Sequence, residues 1–263
     1  MKQGFTYLLL LLLNSVSFAR EGGKDSLEWK ELVKEKYTLH YTSTNQNIIK
    51  SIDGDLQSGI NYIADFFQHS FPSKFDIYIF PDRTLLDKQW QKDWGDTSFQ
   101  SQCWMIASGV AYRLDILSPN AWTKQACEHN SNDTIEIRQV IWHELVHVFH
   151  GQHNPDHTFN YIEKLDWLVE GTATFVSGQL DERRSQRVNQ LIKENKTPLT
   201  LDDFWEGQEK YGLSGSVIAY IYKTYGREKL FALLKFTNKK EVLEFLAVSE
   251  EQLIKNWKDS FSK

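Results

Sequence analysis

The chain is poor in cysteine, in positive charge and in long apolar runs, and each shortage removes a class of protein. Two cysteines in 263 residues are too few for a scaffold held by bridges in place of a core. A chain of that length can instead bury a substantial apolar interior. Lys and Arg number 30 against 35 Asp and Glu, a formal charge of −5. No basic field exists of the kind that phosphate backbones attract, so nucleic acid is not an expected partner. The apolar stretch at residues 7–13 is too short to cross about 30 Å of hydrocarbon as a helix, and no later segment approaches the required length, so no integral membrane segment is expected. Internal repeats and low-complexity tracts are also missing.

What is present begins with an export signal. Lys2 precedes the apolar stretch, and Ser17 and Ala19 supply small residues ahead of Arg20. Residues 1–19 therefore read as a cleavable signal peptide, and the mature chain is expected to be soluble and secreted or periplasmic. In an oxidising compartment Cys103 and Cys127 either close a disulfide or remain two separate buried thiols; sequence alone does not give the Cα separation that decides between them.

The rest reads as an α+β chain in one catalytic unit, with an N-terminal α+β part at 20–134 and a helical part at 135–263. Residues 20–36 are charged and compatible with a helix. Strands are expected at 37–41, 75–80 and 108–117, a small mixed sheet covered by a helix at 48–67 whose Ile49, Ile52, Leu56, Ile60, Ile63 and Phe67 form one apolar stripe. A short helix is expected at 85–94, irregular chain at 95–106, and a break at Ser118-Pro119-Asn120. An amphipathic helix follows at 135–151. Beyond it, helical periodicity recurs at 165–176, 181–194, 214–225, 228–236, 241–246 and 250–261, with turns at Gly178, Pro198, Gly212 and Gly226.

The helix at 135–151 carries His143-Glu144-Leu145-Val146-His147, an HExxH pattern. Histidines four apart project from one helical face, where both imidazoles can bind a single Zn²⁺ at about 2.0–2.1 Å. Glu144 lies beside such a metal and can take a proton from its water. A catalytic zinc needs a third protein ligand and an open position. Glu170, within the apolar run 167–173, is the candidate, because burying an ionised carboxylate there is costly unless a cation compensates it.

His153, six residues past His147, offers a rival third ligand at metzincin spacing. That pattern requires Gly where this chain has His150, and a downstream methionine; Met1 and Met105 are both upstream. His150 itself lies roughly 10 Å along the axis from His143 and cannot share the metal while the helix continues. It is expected to line a pocket or to sit favourably at the helix C-terminus. Thr174 and Asp166 are candidates for orienting a ligand histidine.

Through residues 141–149 (IWHELVHVF) and 167–175 (WLVEGTATF), the chain resembles the gluzincin zinc metallopeptidases, in particular the peptidase MA-like group. The resemblance is strong at these two motifs and weak over the rest of 37–261. It implies a zincin, thermolysin-like core in which residues 108–112 form an edge strand that pairs with an extended peptide. It also implies a phenol or imidazole that polarises the scissile carbonyl. Tyr211 is the candidate and Tyr220 the alternative, each also readable as an ordinary core or surface tyrosine. The implied activity is peptide-bond hydrolysis with one catalytic Zn²⁺ held by His143, His147 and Glu170, with Glu144 as general base. A non-catalytic exported protein that holds a peptide or cell-envelope ligand in the same cleft is the competing reading, and Glu144 argues against it because a structural zinc site needs no base.

Overall fold

The computed structural model of the protein describes residues 28–261, so the expected signal peptide lies outside the described residues. Five strands, β1 (Trp29–Val33), β2 (Tyr37–Thr42), β3 (Phe75–Phe80), β4 (Ala107–Val110) and β5 (Arg113–Leu117), form one mixed sheet in the order β1-β2-β3-β5-β4. The inner pairs β2–β3 and β3–β5 are parallel, and the outer pairs β1–β2 and β4–β5 are antiparallel. Period-two alternation gives the sheet two buried faces. Tyr37, Leu39, Phe75, Ile77, Ile79, Leu114 and Ile116 join one core with the apolar stripe of α1 (Ile49–Phe67). Phe80 and Leu117 join a smaller core with Leu86 and Trp90 of α2 (Arg83–Trp94) and Trp122 of α3 (Pro119–Gln125).

Three local expectations change. Residues 29–33 are a strand rather than helix, because the turn closed by Lys34 N–H on the Tyr37 carbonyl (2.8 Å) folds them back along β2 as an edge whose charges can face solvent. The single strand expected at 108–117 is a hairpin bent at Ala111 and Tyr112. Ser118-Pro119 does not merely break the chain: Ser118 accepts from the Asn120 N–H and Pro119 opens α3, where a missing N–H costs nothing.

Helix α4 (Thr134–His153) is started by Asp133, whose carboxylate accepts from the Ile135 and Glu136 amides. It crosses α1 at Gly59, where a Cβ would come within 2.6 Å of Trp142, and the Trp142 indole donates to the Asp55 carbonyl (3.0 Å). The helical half comprises α5 (Asp166–Val176), α6 (Glu182–Lys193), α7 (Lys210–Tyr225), α8 (Arg227–Leu233), α9 (Lys239–Leu246) and α10 (Glu250–Ser260). One continuous apolar core runs from Tyr37 of the sheet to Trp257 of α10. Helices α5 and α7 cross closely because Gly171 sits on the Ser214 backbone, where a Cβ would be 2.7 Å from the carbonyl oxygen. Gly212, expected as a turn, is buried inside α7 against Val188, so this helix begins four residues before the expected 214 and carries Tyr211 in its first turn. Among the described residues no helix is long and apolar enough to cross a membrane.

Candidate metal centre

His143 and His147 stand one turn apart on α4, their ring centroids 4.8 Å apart and both side chains nearly buried. The close α5–α7 crossing holds α5 against α4 and aims Glu170 at them. One carboxylate oxygen of Glu170 lies 3.2 Å from His143 Nε2 and 3.5 Å from His147 Nε2. One donor atom from each residue lies within 4.8 Å of the others. A tetrahedral ion with bonds of about 2.0–2.1 Å holds its donors about 3.3 Å apart, so the three groups are spaced for one small metal ion. Two imidazoles and a carboxylate on apolar surroundings also fit a divalent cation in their chemistry.

The electrostatics divide the two carboxyls of the site. Burial works against ionisation of Glu170, but the His147 and His143 imidazoles outweigh it and hold the carboxyl below its ordinary range. Glu144 faces the other way, towards β4. Burial pushes its carboxyl up to about 7; His143 lowers it, Glu170 and Asp115 raise it, and the Gly109 amide donates to it. That approach depends on Gly109 having no side chain, since a Cβ would lie 2.5 Å from the Glu144 carbonyl oxygen.

The residue that orients His143 is Gln179, which sequence reasoning missed. Its Oε1 lies 2.8 Å from His143 Nδ1, an acceptor that places the ring proton on Nδ1 and leaves the Nε2 lone pair for a metal. Gln179 is itself held. Arg184 Nη1 donates to its carbonyl (2.8 Å), and Gln139 donates to the carbonyl of the preceding Gly178 (2.9 Å), where φ is +79°. The signal available was positional, a Gly-Gln turn directly after the helix that carries Glu170. The two expected orienting residues do not serve: Thr174 is buried with its hydroxyl unpartnered, and Asp166 is exposed at the start of α5.

Tyr211 comes to the site, its ring centroid 6.1 Å from that of His143. Burial first, then the Glu170 and Glu144 charges, push its phenol well above the ordinary value, so it stays protonated and able to donate. Tyr220, two and a half turns further along α7 and so on its other face, packs on the core. His153 turns away, its Nδ1 2.8 Å from the Phe149 carbonyl and its ring against Phe149, Phe231 and His69, so it supplies no third ligand. His150 is 1 % exposed with no hydrogen-bond partner on either ring nitrogen among the described residues, packed edge-on against Phe159; burial drives its pKa down to about 3 and keeps it neutral. Phe159 also faces His147, with a left-handed φ of +59°.

The rim above Tyr211 is built from both halves of the chain. Cys103 and Cys127 form a disulfide, and beside it Trp104 reaches the Lys210 ammonium, which also contacts the rings of Trp205 and Tyr211. No protein-family model matches the chain, and no curated protein matches it. The reading of the site rests on its own chemistry.

Proposed function

We propose that the protein is an exported zinc-dependent peptidase of zincin, thermolysin-like type. The observation that carries the reading is the convergence of His143, His147 and Glu170 at zinc spacing with a buried, unshared carboxylate, Glu144, alongside. Two imidazoles and one carboxylate leave a fourth position open, the pattern of catalytic rather than structural zinc. Zinc bound there supplies Lewis-acid polarisation of a carbonyl and acidifies a water molecule.

The chain's own residues do the rest. Glu144 would take a proton from the attacking water at its carboxylate oxygen and return it to the leaving amine as the C–N bond breaks; burial raises its carboxyl above the ordinary value, towards that role. Tyr211 donates its phenolic proton in a hydrogen bond to the oxygen on which charge develops. Gln179 holds the His143 ring in register. The outer edge of β4 supports binding of an extended peptide by strand addition, since among the described residues β4 pairs only with β5. The disulfide supports export, because such bridges persist in oxidising compartments.

The test is zinc content per chain for the purified protein beside Glu144→Gln and Glu170→Ala, followed by a peptide-library screen. About one zinc in the first two and little in Glu170→Ala, with turnover only in the unaltered protein, is the expected result. Absence of zinc after metal loading, or retained turnover in Glu144→Gln, would overturn the proposal.

A further inference from the structure

The rim cluster points to the end of the substrate that the cleft accepts. Lys210 Nζ lies 4.6 Å from the ring centroid of Trp104, 4.4 Å from that of Trp205 and 5.4 Å from that of Tyr211. Trp104 belongs to the stretch leading into β4, whereas Trp205 and Tyr211 belong to the helical half. Strand β4 packs on α4 at Glu144 and α5 packs on it at the histidines, so these elements flank the metal-bearing face of α4. The Trp104–Lys210 contact therefore joins the two walls, beside the His143 end of the site.

This strap is anchored on its Trp104 side. The neighbouring Cys103 is bridged to Cys127, and the Trp104 carbonyl lies 3.1 Å from His129 Nε2. Arg83 donates to the carbonyls of Gln102, Cys103 and Met105 at 2.9, 3.0 and 2.8 Å. The indole is thus held by backbone contacts on both sides of it.

Lys210 has no acidic partner among the described residues. Its neighbour Glu209 pairs with Arg187 (2.8 Å), and Arg184 is engaged by the Gln179 carbonyl (2.8 Å) and Asp181 (3.9 Å). Glu128, exposed on the bridged loop, acts on Tyr211 at longer range. Aromatic faces hold the ammonium in place but leave its N–H groups without an anionic acceptor.

We propose that Lys210 receives the C-terminal carboxylate of a peptide, so that the protein acts near free carboxyl ends rather than in the middle of long chains. On this proposal a chain that continued past Tyr211 towards Trp104 would meet their shared contact with Lys210, and an amino terminus would meet a like charge. A terminal carboxylate meets a fixed ammonium and forms a charge-assisted hydrogen bond. The inference rests on the peptidase reading for its substrate class, and on the Lys210 cluster for its direction.

The test uses zinc-loaded protein and pairs of N-acetylated hexapeptides that differ only in a C-terminal carboxylate or carboxamide. Cleavage is followed with the unaltered protein, and binding with Glu144→Gln by quenching of Trp emission. The carboxylate form is expected to be cleaved with kcat/KM about tenfold above the amide, close to its end. Lys210→Met, which keeps an apolar stem among the rings, is expected to abolish that preference with zinc content unchanged, and Lys210→Arg to keep it. Equal cleavage of both forms, or a preference that survives in Lys210→Met, overturns the proposal. If no peptide is cleaved, the peptidase reading fails and binding decides alone: about tenfold tighter binding of the carboxylate form, lost when Lys210→Met is added, sustains the site, and equal binding removes it.

Discussion

The two sides of the candidate metal centre handle the same functional group in opposite ways. On the β4 side, Glu144 is 8 % exposed, receives one backbone amide from Gly109 and lies within the influence of Asp115, itself pushed up to about 7 by burial that Arg113 only partly offsets. On the α5 side, the Glu170 side chain is 26 % exposed, touches two imidazoles and is held ionised. Both residues are glutamates on buried helices one helix apart. Neighbours rather than residue type divide the two carboxyls, leaving Glu144 suited to carry a proton and Glu170 suited to hold a cation.

Damage to the packing that creates the walls is expected to have the largest effect. Gly109→Ala places a methyl 2.5 Å from the Glu144 carbonyl, and Gly171→Ala places one 2.7 Å from that of Ser214; both obstacles are backbone, which cannot swing aside. Each is expected to cost about 3 kcal/mol in urea unfolding, and a cost under about 1 kcal/mol for either would mean that its wall is softer than the other. Next comes the outer support of the ligand side: Gln179→Leu is expected to weaken zinc binding about 10–100-fold in chelator competition. Tyr211→Phe tests whether the α7 side also contributes to the chemistry, with kcat reduced roughly tenfold or more at unchanged KM and zinc content.

The electrostatic contrast has a pH signature in metal-free protein. Glu144 and Asp115 are pushed up from 4.5 and 3.8 to about 7, so between those limits the folded state holds more protons than the unfolded chain. Stability is therefore expected to fall as pH rises from about 4 to about 7. Glu170, shifted downward, contributes in the opposite sense, with stability present above 4.5 and lost on acidification. Unfolding curves across this window should flatten in Asp115→Asn, and an unchanged slope would contradict the assignment. The smallest effect belongs to a glycine with no wall to serve. Gly54 is exposed within α1, and a methyl added there would meet nothing within 4 Å, so Gly54→Ala should gain about 0.5–1 kcal/mol in the same unfolding measurement.

The candidate metal centre was legible in the chain because helical spacing is local. His143 and His147 follow from a four-residue interval, and Glu170 from the cost of an acid in an apolar run. Most of the helices are legible nearly to their ends for the same reason; α3 was not, and α7 begins four residues before its expected start. The β4 wall was legible only in outline: the bend at Ala111 and Tyr112 has no Gly or Pro to announce it, and β1 hides under Lys30 and Glu31, which an edge tolerates. Gln179 and the Trp104–Lys210 contact were not legible, since each joins residues from separate elements through side-chain reach rather than periodicity. Thr174 misleads for a related reason: one turn from Glu170 along α5 puts it on the Gly215 side, away from the histidines.

The three candidate metal donors and Gln179 lie within residues 143–179, and Glu144 meets Gly109 across a similar stretch on the other side, so α4 is the element common to both. Loops of such similar length close at nearly the same entropic cost, with a difference of only about 0.3 kcal/mol. Neither side is favoured to close first, and α4 is the shared scaffold: a shift in its register would displace the candidate metal donors and the Glu144 carboxylate together.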